Sequence, residues 1–240
     1  MAHPAIGRMA LRQPARHQNR ADITVRVVRT LDDLQRVSVL RGLTYMAEQD
    51  CPYDEEFDGN DLCGLHLLAF VGKEPAGTLR LRFFNGFVKL ERLCVDRRQR
   101  GGAVASFLLS HAFEITARKG FPRVIAHIQE RLEGWWTHIV KCQVVGRQTF
   151  DFSGYSYLVL EIPLPKHPQA IQFESNPYVM IRPEGEWDHE GILDPKSSKP
   201  QTSKPLRAAP TLQPASPSPI NARASRSGAR VQRPTRITAA

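Results

Sequence analysis

The chain has 240 residues, of which 41% are hydrophobic, and its formal net charge is +9. Residues 1–21 and 195–240 contain 13 of the 33 Lys and Arg residues and no acidic residue, so residues 22–194 carry about −4. The basic character therefore belongs to the two ends, which argues against a nucleic-acid-binding fold. Nucleic acid stays open as a partner only through contacts with the basic tails.

The composition divides the chain into four parts. Residues 195–240 hold eight of the 18 prolines, and this stretch is predicted to be a disordered basic Pro/Ser-rich tail because too little apolar surface is available for burial. Residues 1–21 are predicted to be a shorter disordered extension of the same kind. Residues 22–164 are predicted to form one folded domain, and residues 165–194 an irregular segment packed on or near it.

The hydropathy pattern and the cysteines indicate the compartment. The sequence shows neither a run of 18 apolar residues nor an apolar secretory leader, so we expect a cytoplasmic protein without a membrane span. The acid-poor, arginine-spaced start leaves an organellar transit peptide as the alternative. The four cysteines form no CxxC pair and have no His at ligand spacing, which predicts reduced thiols and no metal site. Cys94 and Cys142 are disfavoured as nucleophiles because no partner His is placed to activate them.

The apolar patterns predict alternating strands and helices. Six strands are predicted from alternating or β-branched runs, at residues 24–30, 65–72, 76–84, 87–95, 123–129 and 150–164, the last interrupted at Gly154 by a bulge or turn. Three helices are predicted from apolar spacing, at residues 31–49, after the turn near residue 100 as far as Lys119, and at 130–140. Thr30 and Asp33 are spaced as the cap of the first helix. The strand at 123–129 follows a helical crossover, so it should run parallel to the strand that ends at Val95.

Residues 48–61 contain seven acidic residues and no basic one. A calcium-binding loop of the EF-hand type starting at Asp54 is disfavoured, because its twelfth position is Leu65 where the motif needs Glu. Two interpretations stay open: a solvated acidic loop, or an acidic rim that attracts a cationic, amine-bearing substrate.

A strand, a basic glycine-containing turn and a helix follow one another in residues 90–119, LERLCVDRRQRGGAVASFLLSHAFEITARK. The backbone N–H groups and the positive end of the helix dipole at such a junction bind phosphate or pyrophosphate. A Rossmann turn would need GxGxxG and an acidic residue ~20 positions later, and the sequence has neither. The turn therefore predicts a phosphate-bearing ligand of another kind.

The element order and this turn resemble the GNAT N-acetyltransferase superfamily across residues 22–164. The family motif is Arg or Gln, two residues, Gly, one residue, then Gly or Ala; Arg100 and Ala105 match it, whereas Ala103 stands where the family has Gly. The resemblance implies the acyl-CoA N-acyltransferase fold, an α/β (α+β) architecture with a central mixed, mostly antiparallel sheet flanked by helices. It also implies transfer of an acyl group, most simply acetyl, from acetyl-CoA or another acyl-CoA to a small-molecule or peptide amine, without a metal.

The same resemblance places the cofactor. In the family the pantetheine arm pairs with the end of the fourth strand, which corresponds here to Leu93, Cys94 and Val95. The diphosphate lies on the amides of the turn, which correspond to Arg100, Gly101, Gly102, Ala103, Val104 and Ala105. The methyl group of Ala103 is expected to weaken this site, because the backbone must approach a phosphate there.

Glu91 is the predicted catalytic base. An amine of pKa ~10.4 is protonated at neutral pH, so its attack on a thioester needs a base or a desolvating site. Residues 91, 93 and 95 share one face of the strand if the strand is regular, and the family often places a carboxylate on this strand. The alternative is that Glu91 serves as an ion-pair partner of Lys89, of Arg92 or of a residue on a neighbouring strand.

The general acid is left unassigned. Trp135 and Trp136 occupy the place of a Phe-Tyr pair that supplies a tyrosine acid in the family, and an indole N–H is not an acid at neutral pH. Tyr155, Tyr157 or water could replace that tyrosine. The missing tyrosine and the Ala103 change motivate an alternative function, a non-catalytic CoA-binding or interaction protein with the same fold.

Overall fold

The structure is a computed structural model, and it describes residues 22–145 and 150–194. Within these residues the chain forms eight β-strands and six α-helices. In chain order they are β1 (Ile23–Val27), α1 (Leu31–Arg41), α2 (Ala47–Gln49), α3 (Tyr53–Glu56), β2 (Leu65–Val71), β3 (Glu74–Phe84), β4 (Phe87–Val95), α4 (Val104–Arg118), β5 (Arg123–Gln129), α5 (Glu133–Ile139), β6 (Gln143–Val144), β7 (Phe150–Phe152), β8 (Tyr155–Pro163) and α6 (Pro177–Ile181). None of the helices in these two stretches has both the length and the apolar character that crossing a bilayer requires. The tails predicted at residues 1–21 and 195–240 lie outside the described residues.

All eight strands belong to one sheet, in the order β1-β2-β3-β4-β5-β8-β6, with β7 paired to β8. Strands β1 to β4 are antiparallel neighbours, β4 and β5 are parallel, and β8 runs antiparallel to β5. The predicted mixed, mostly antiparallel sheet flanked by helices is confirmed, as is the parallel pairing of β4 with β5. Ser153 and Gly154, at φ +49 and +73, form a turn that divides the predicted strand 150–164 into β7 and β8.

The first helix begins at the predicted cap, where the Thr30 hydroxyl accepts a hydrogen bond from the Asp33 N–H at 3.1 Å. The helix does not continue to residue 49 as one regular α-helix, because Gly42–Met46 form a π-helical turn between α1 and α2. Such turns are short insertions that often lie at functional sites. Within this turn Tyr45 reaches the sheet, and its hydroxyl donates a hydrogen bond to the Leu93 carbonyl of β4 at 2.8 Å.

Helix α4 covers one face of the sheet, and the main apolar core lies between them. Its buried Leu108 and Leu109 pack with apolar residues of β3, β4 and β5. Gly77 on β3 allows the start of this helix to come close, since a Cβ there would lie 2.8 Å from the Cys94 carbonyl oxygen and 3.0 Å from Val104 Cγ1. The N-terminus of α4 is therefore held against the end of β4.

The opposite face of the sheet, under α1, combines a small apolar cluster with buried ion pairs. Arg41 on α1 and Arg80 on β3 are fully buried. Arg41 pairs with Glu56 and Asp61, and Arg80 pairs with Asp58 at 2.6 Å and with Asp61 at 2.8 Å. Three of the seven acidic residues of the predicted loop thus turn inward, because a buried guanidinium needs a charged partner to offset its desolvation.

Residues 165–194 lie against α4 and β1. Arg118 of α4 pairs with Asp188 at 2.6 Å, and Arg29 pairs with Glu186 at 2.8 Å. Trp187 is buried and belongs to the main apolar core. The segment also forms the short helix α6, where an irregular chain is predicted from the sequence.

Candidate active site

The parallel strands β4 and β5 separate at the centre of the sheet. Their pairing is limited to Val88–Leu90 on β4 and Val124–Ala126 on β5. From Glu91 to Val95, the β4 edge that faces β5 has no partner strand among the described residues. An unpaired strand edge can bind the backbone-like amides of a ligand.

A β-bulge lies in β4 at the same place. Beside it β3 advances by two residues while β4 advances by three, and Arg92 within the bulge has φ +53. The alternation of faces changes there: Glu91 pairs with Arg80 on the α1 side, whereas Leu93 packs against the main core under α4. The expected common face for residues 91, 93 and 95 is therefore wrong, because the extra residue interrupts the period of two.

A cleft of about 350 Å³ opens between the end of β4, the start of α4 and α5, and we call it the cofactor cleft. Seven of the nine predicted cofactor residues line it: Leu93, Cys94, Val95, Arg100, Gly101, Gly102 and Ala105. Gly101 has φ +74, a left-handed conformation that glycine adopts without strain. The N-cap of α4, Ala103, makes no side-chain hydrogen bond to the first helical turn. A helix N-terminus of this kind is suited to an anion.

The side chains of the two other predicted cofactor residues, Ala103 and Val104, point elsewhere. They are buried in the main core, with 5% and 0% of their surface exposed. Ala103 has φ −91 and ψ −4, a conformation open to any residue. The backbone at this position therefore does not need the glycine that the family prefers. Because both side chains are buried, Ala103 and Val104 can offer a diphosphate only their backbone N–H groups.

Arg100 connects the turn to α2. Its guanidinium donates two hydrogen bonds to the Glu48 carboxylate, at 2.7 and 2.9 Å, and its Nε donates to the Val95 carbonyl at 3.0 Å. The Leu93 carbonyl accepts from Tyr45. Because a carbonyl oxygen has two lone pairs, both carbonyls can accept one more hydrogen bond. The unpaired β4 edge, the open turn and the helix N-terminus together fit the acyl-CoA that the resemblance implies.

A second cleft, of about 140 Å³, adjoins the first, and we call it the acceptor cleft. It is lined mainly by residues 90–93 of β4, 126–129 of β5, and 152, 153, 155 and 157 of the β7–β8 hairpin. The two clefts share five lining residues, Thr44, Gln49, Leu93, Leu132 and Trp136. A molecule bound in one cleft can therefore meet a molecule bound in the other at these residues.

Glu91 lines the acceptor cleft, but cations hold both of its carboxylate oxygens. One oxygen accepts from Arg80 at 2.7 and 2.9 Å, the other lies 2.7 Å from Lys89 Nζ, and the side chain is 7% exposed. Burial by itself would raise the pKa of Glu91, but Lys89 and Arg80 outweigh burial and lower it below its usual value. A carboxylate with a lowered pKa is a weaker proton acceptor. The role of Glu91 as base stays a prediction, and two of the alternative ion pairs, with Lys89 and with Arg80 of the neighbouring strand β3, are present.

His127, Gln129 and Tyr45 also line the acceptor cleft, and they are not among the site residues predicted from the sequence. His127 and Gln129 are alternate residues of β5, so they face the same side of the sheet. Partial burial lowers the pKa of His127, Lys89 lowers it further, and Glu91 opposes the shift. The signal that could have found them is the pair of polar residues at alternate positions of an otherwise apolar strand, RVIAHIQ.

The aromatic residues divide between the two clefts. Trp136 is 4% exposed and lines both clefts, while the partly exposed Trp135 lines the cofactor cleft. Tyr155 and Tyr157, the predicted replacements for the missing tyrosine acid, line the acceptor cleft. Tyr45 lies at the β4 bulge, and burial raises its pKa well above the usual value, which makes its hydroxyl a poorer acid.

A helix N-terminus at the end of a strand, an unpaired strand edge and two joined clefts are the arrangement that the resemblance implies for a transferase of the acyl-CoA-dependent class. Residues 34–133 match the family model described as Acetyltransferase (GNAT) family, so this part of the chain is a GNAT family domain and the protein is a transferase of that type.

Relatives and solved structures agree with this family. A Bacillus subtilis (strain 168) protein provisionally named an acetyltransferase is 28% identical over 117 residues, which cover 48% of this chain and 80% of that relative. A Lactobacillus plantarum structure, provisionally named an N-acetyltransferase, has a TM-score of 0.56 at 19% identity and covers 60% of this chain and 99% of its own. An acyl-CoA N-acyltransferase from Pseudomonas aeruginosa has a TM-score of 0.52 at 23% identity, covering 59% and 98%. At these identities the structural likeness shows the fold.

Proposed function

We propose that this protein transfers an acyl group, most simply acetyl, from acyl-CoA to the amine of a small molecule or peptide. The observation that carries this proposal is the junction of the cofactor cleft with the acceptor cleft at Thr44, Gln49, Leu93, Leu132 and Trp136. A thioester arriving along the β4 edge would meet an amine arriving from the other side of that junction. Holding the two reactants together in this way replaces a bimolecular encounter by a step within one site.

Backbone groups of β4 and the following turn are assigned to cofactor recognition. The edge of Leu93, Cys94 and Val95 would pair with the pantetheine amides, and the amides from Arg100 to Ala105, with the N-terminus of α4, would bind the diphosphate. Two observations support this assignment. Small residues line the turn side of the cofactor cleft, and the Arg100 guanidinium is already bound to Glu48, which leaves the diphosphate to the amides.

Direct attack of the amine on the thioester is favoured over a covalent acyl-enzyme. Cys94 is buried, and burial raises the pKa of its thiol to about 12. Burial also raises the pKa of Cys142. A thiol that stays protonated is a weak nucleophile, so neither of these cysteines is suited to receive the acyl group.

The test uses the full-length chain with acetyl-CoA. Calorimetric titration should show binding, and release of free CoA should begin when an amine from a mixed panel is added. Binding without CoA release on any amine would favour the alternative, a non-catalytic CoA-binding protein. Absence of binding at millimolar acetyl-CoA would reject the proposal.

A further inference from the structure

The carboxylates of the acceptor cleft are already neutralised. Among the described residues that line this cleft, the carboxylates are Glu56 and Glu91. Glu56 is 1% exposed and pairs with Arg41 and, at 3.0 Å, with Arg92, while Glu91 is bound by two cations of its own. An ammonium group entering the cleft would lose its hydration without meeting an available carboxylate there, which is unfavourable.

The acidic loop does not supply a substitute. Of its seven acidic residues, Glu56 is the one that lines the described acceptor cleft. Asp58 and Asp61 are bound to the buried Arg80 at 2.6 and 2.8 Å, and Glu48 is bound to Arg100 at 2.7 Å. Four of the seven carboxylates are therefore engaged with arginines. Asp50, Asp54 and Glu55 lie outside the lining of the cleft, although Glu55 accepts a hydrogen bond from the lining residue Ser153, so the interpretation of the loop as an acidic rim stays a prediction.

His127 is placed to take a proton in this cleft. It lies on β5 directly after the part of that strand that pairs with β4, and its side chain is exposed at the mouth of the cleft. The charged groups that face it are Lys89 and Glu91 from β4 and Glu161 from β8, which Arg123 neutralises at 2.9 Å. Because partial burial and Lys89 lower its pKa, the imidazole is neutral at pH 7, while the Glu91 charge favours the protonated form once it is made.

We propose that the acceptor is an amine with a substantial neutral fraction at physiological pH, such as a peptide α-amino group or an aromatic amine, and that His127 accepts its proton. This inference rests on the proposed acyl transfer. An α-amino group of pKa ~7.7–8.0 is about one quarter neutral at pH ~7.4, whereas a lysine side chain of pKa ~10.4 is neutral in about one molecule in a thousand. Because both of the described carboxylates that line the cleft are already paired with arginine or lysine, the cleft should favour a neutral amine over an ammonium group.

The reaction then requires one proton acceptor. The neutral amine attacks the thioester carbonyl, an N–C bond forms and the C–S bond breaks. His127 accepts the proton that the nitrogen loses, and the charge of Glu91 stabilises the imidazolium. CoA leaves as a thiolate and takes a proton from water, and His127, which is exposed, returns its proton to the solvent.

The substrate class is tested with one peptide in two forms. A short peptide with a single lysine is prepared either with the α-amino group acetylated and the lysine free, or with the lysine acetylated and the α-amino group free. With the full-length protein and saturating acetyl-CoA at neutral pH, kcat/KM should be at least about tenfold higher for the free α-amino group. An equal or higher value for the lysine overturns the inference and leaves acyl transfer standing. No CoA release with any amine, despite acetyl-CoA binding, instead defeats the proposed function.

The role of His127 is tested by substitution on an amine that turns over. His127→Gln should lower kcat by about 100-fold or more, a typical loss for a general base, with the acetyl-CoA Kd unchanged. In the unaltered protein kcat should fall as the pH drops through the His127 pKa, below its usual value of ~6.5, because the neutral imidazole is the active form. The variant should lose this acidic limb.

His111→Gln, on α4 and outside both clefts, is the matched control and should change neither kcat nor the acidic limb. A His127→Gln variant that keeps both kcat and the acidic limb overturns the assignment.

Discussion

The cofactor cleft and the acceptor cleft meet at five shared residues, yet the chain builds them in different ways. Most of the cofactor cleft comes from residues 93–105, where a strand, a turn and a helix follow one another directly. The acceptor cleft collects its lining from β4, β5, the β7–β8 hairpin and segments far apart in the sequence. The first can bind through backbone groups, which any sequence with this fold supplies. The second is lined largely by side chains, so in the proposed function it is the part of the protein that would select the substrate.

The largest effect is expected where buried ion pairs support the acceptor cleft. Arg41→Ala leaves Glu56 and Asp61 without their buried partner and should lower the free energy of unfolding by about 3–5 kcal/mol. Denaturation in urea at neutral pH measures this change. Arg98→Ala removes an exposed pair with Asp96 and should leave the urea midpoint unchanged. A loss below about 1 kcal/mol for Arg41→Ala would contradict the prediction, because it would mean that the buried ion pairs contribute no more to stability than exposed ones do.

A smaller effect is expected where the cofactor cleft depends on close packing. Gly77→Ala places a Cβ against the Cys94 carbonyl and Val104, and the overpacking should destabilise the protein by about 1–3 kcal/mol. It should also weaken acetyl-CoA binding, because α4 must move away from β4. Gly134→Ala in α5, where a Cβ meets open space, is the control and should stabilise by up to about 1 kcal/mol. An unchanged melting temperature for Gly77→Ala would show that α4 does not need this contact.

Cofactor affinity can be changed without affecting the acceptor cleft. Ala105 lies in the first turn of α4 and lines the cofactor cleft. In Ala105→Glu the new carboxylate repels a diphosphate and should raise the acetyl-CoA Kd at least tenfold, about 1.4 kcal/mol. The fold should tolerate it, because a carboxylate in the first helical turn interacts favourably with the helix dipole. Ser110→Glu, on the same helix outside both clefts, should leave the Kd measured by calorimetry unchanged.

The smallest change in kcat is expected for Glu91→Gln, and this variant separates the two candidate bases. If His127 accepts the proton, kcat should fall by less than about tenfold. The acidic limb should also move to lower pH, since the anion that raises the His127 pKa is gone. A fall of about 100-fold or more with loss of the acidic limb would establish Glu91 as the base, the role predicted from the sequence. Thermal denaturation of the variant must be measured in parallel, because Arg80 and Lys89 lose a partner.

Much of the fold could be predicted, because the sequence patterns that specify its strands and helices each extend over only a few neighbouring residues. The alternating runs locate β2 to β5, the Thr30 cap starts α1, and the crossover through α4 sets the parallel pairing of β4 and β5. The π-helical turn at Gly42–Met46 was not predicted. Apolar spacing alone does not reveal one residue inserted into a helix.

The acceptor cleft could not be predicted in the same way, because its parts depend on tertiary contacts. The bulge at Arg92 changes the face that Leu93 occupies, and no turn residue such as glycine marks that position. Arg80 is buried because Asp58 and Asp61 return to it from a loop 22 and 19 positions away. In the sequence these aspartates look like solvent-exposed charges, and only the folded sheet shows that they face inward.

The short pairing of β4 with β5 has a consequence for the local stability of the sheet. Because three residue pairs join these strands in the described sheet, the sheet consists of two halves connected at a seam. A seam with few hydrogen bonds opens at a lower free energy than the rest of a sheet, so backbone amides beside it should exchange with solvent early. In the proposed complex the pantetheine arm occupies this seam, and ligand at 100 times its Kd adds about 2.7 kcal/mol to the stability of the folded state. The bound co-substrate would then take the place of a strand between β4 and β5. The two halves of the sheet would be held together more firmly when it is bound than after it is released.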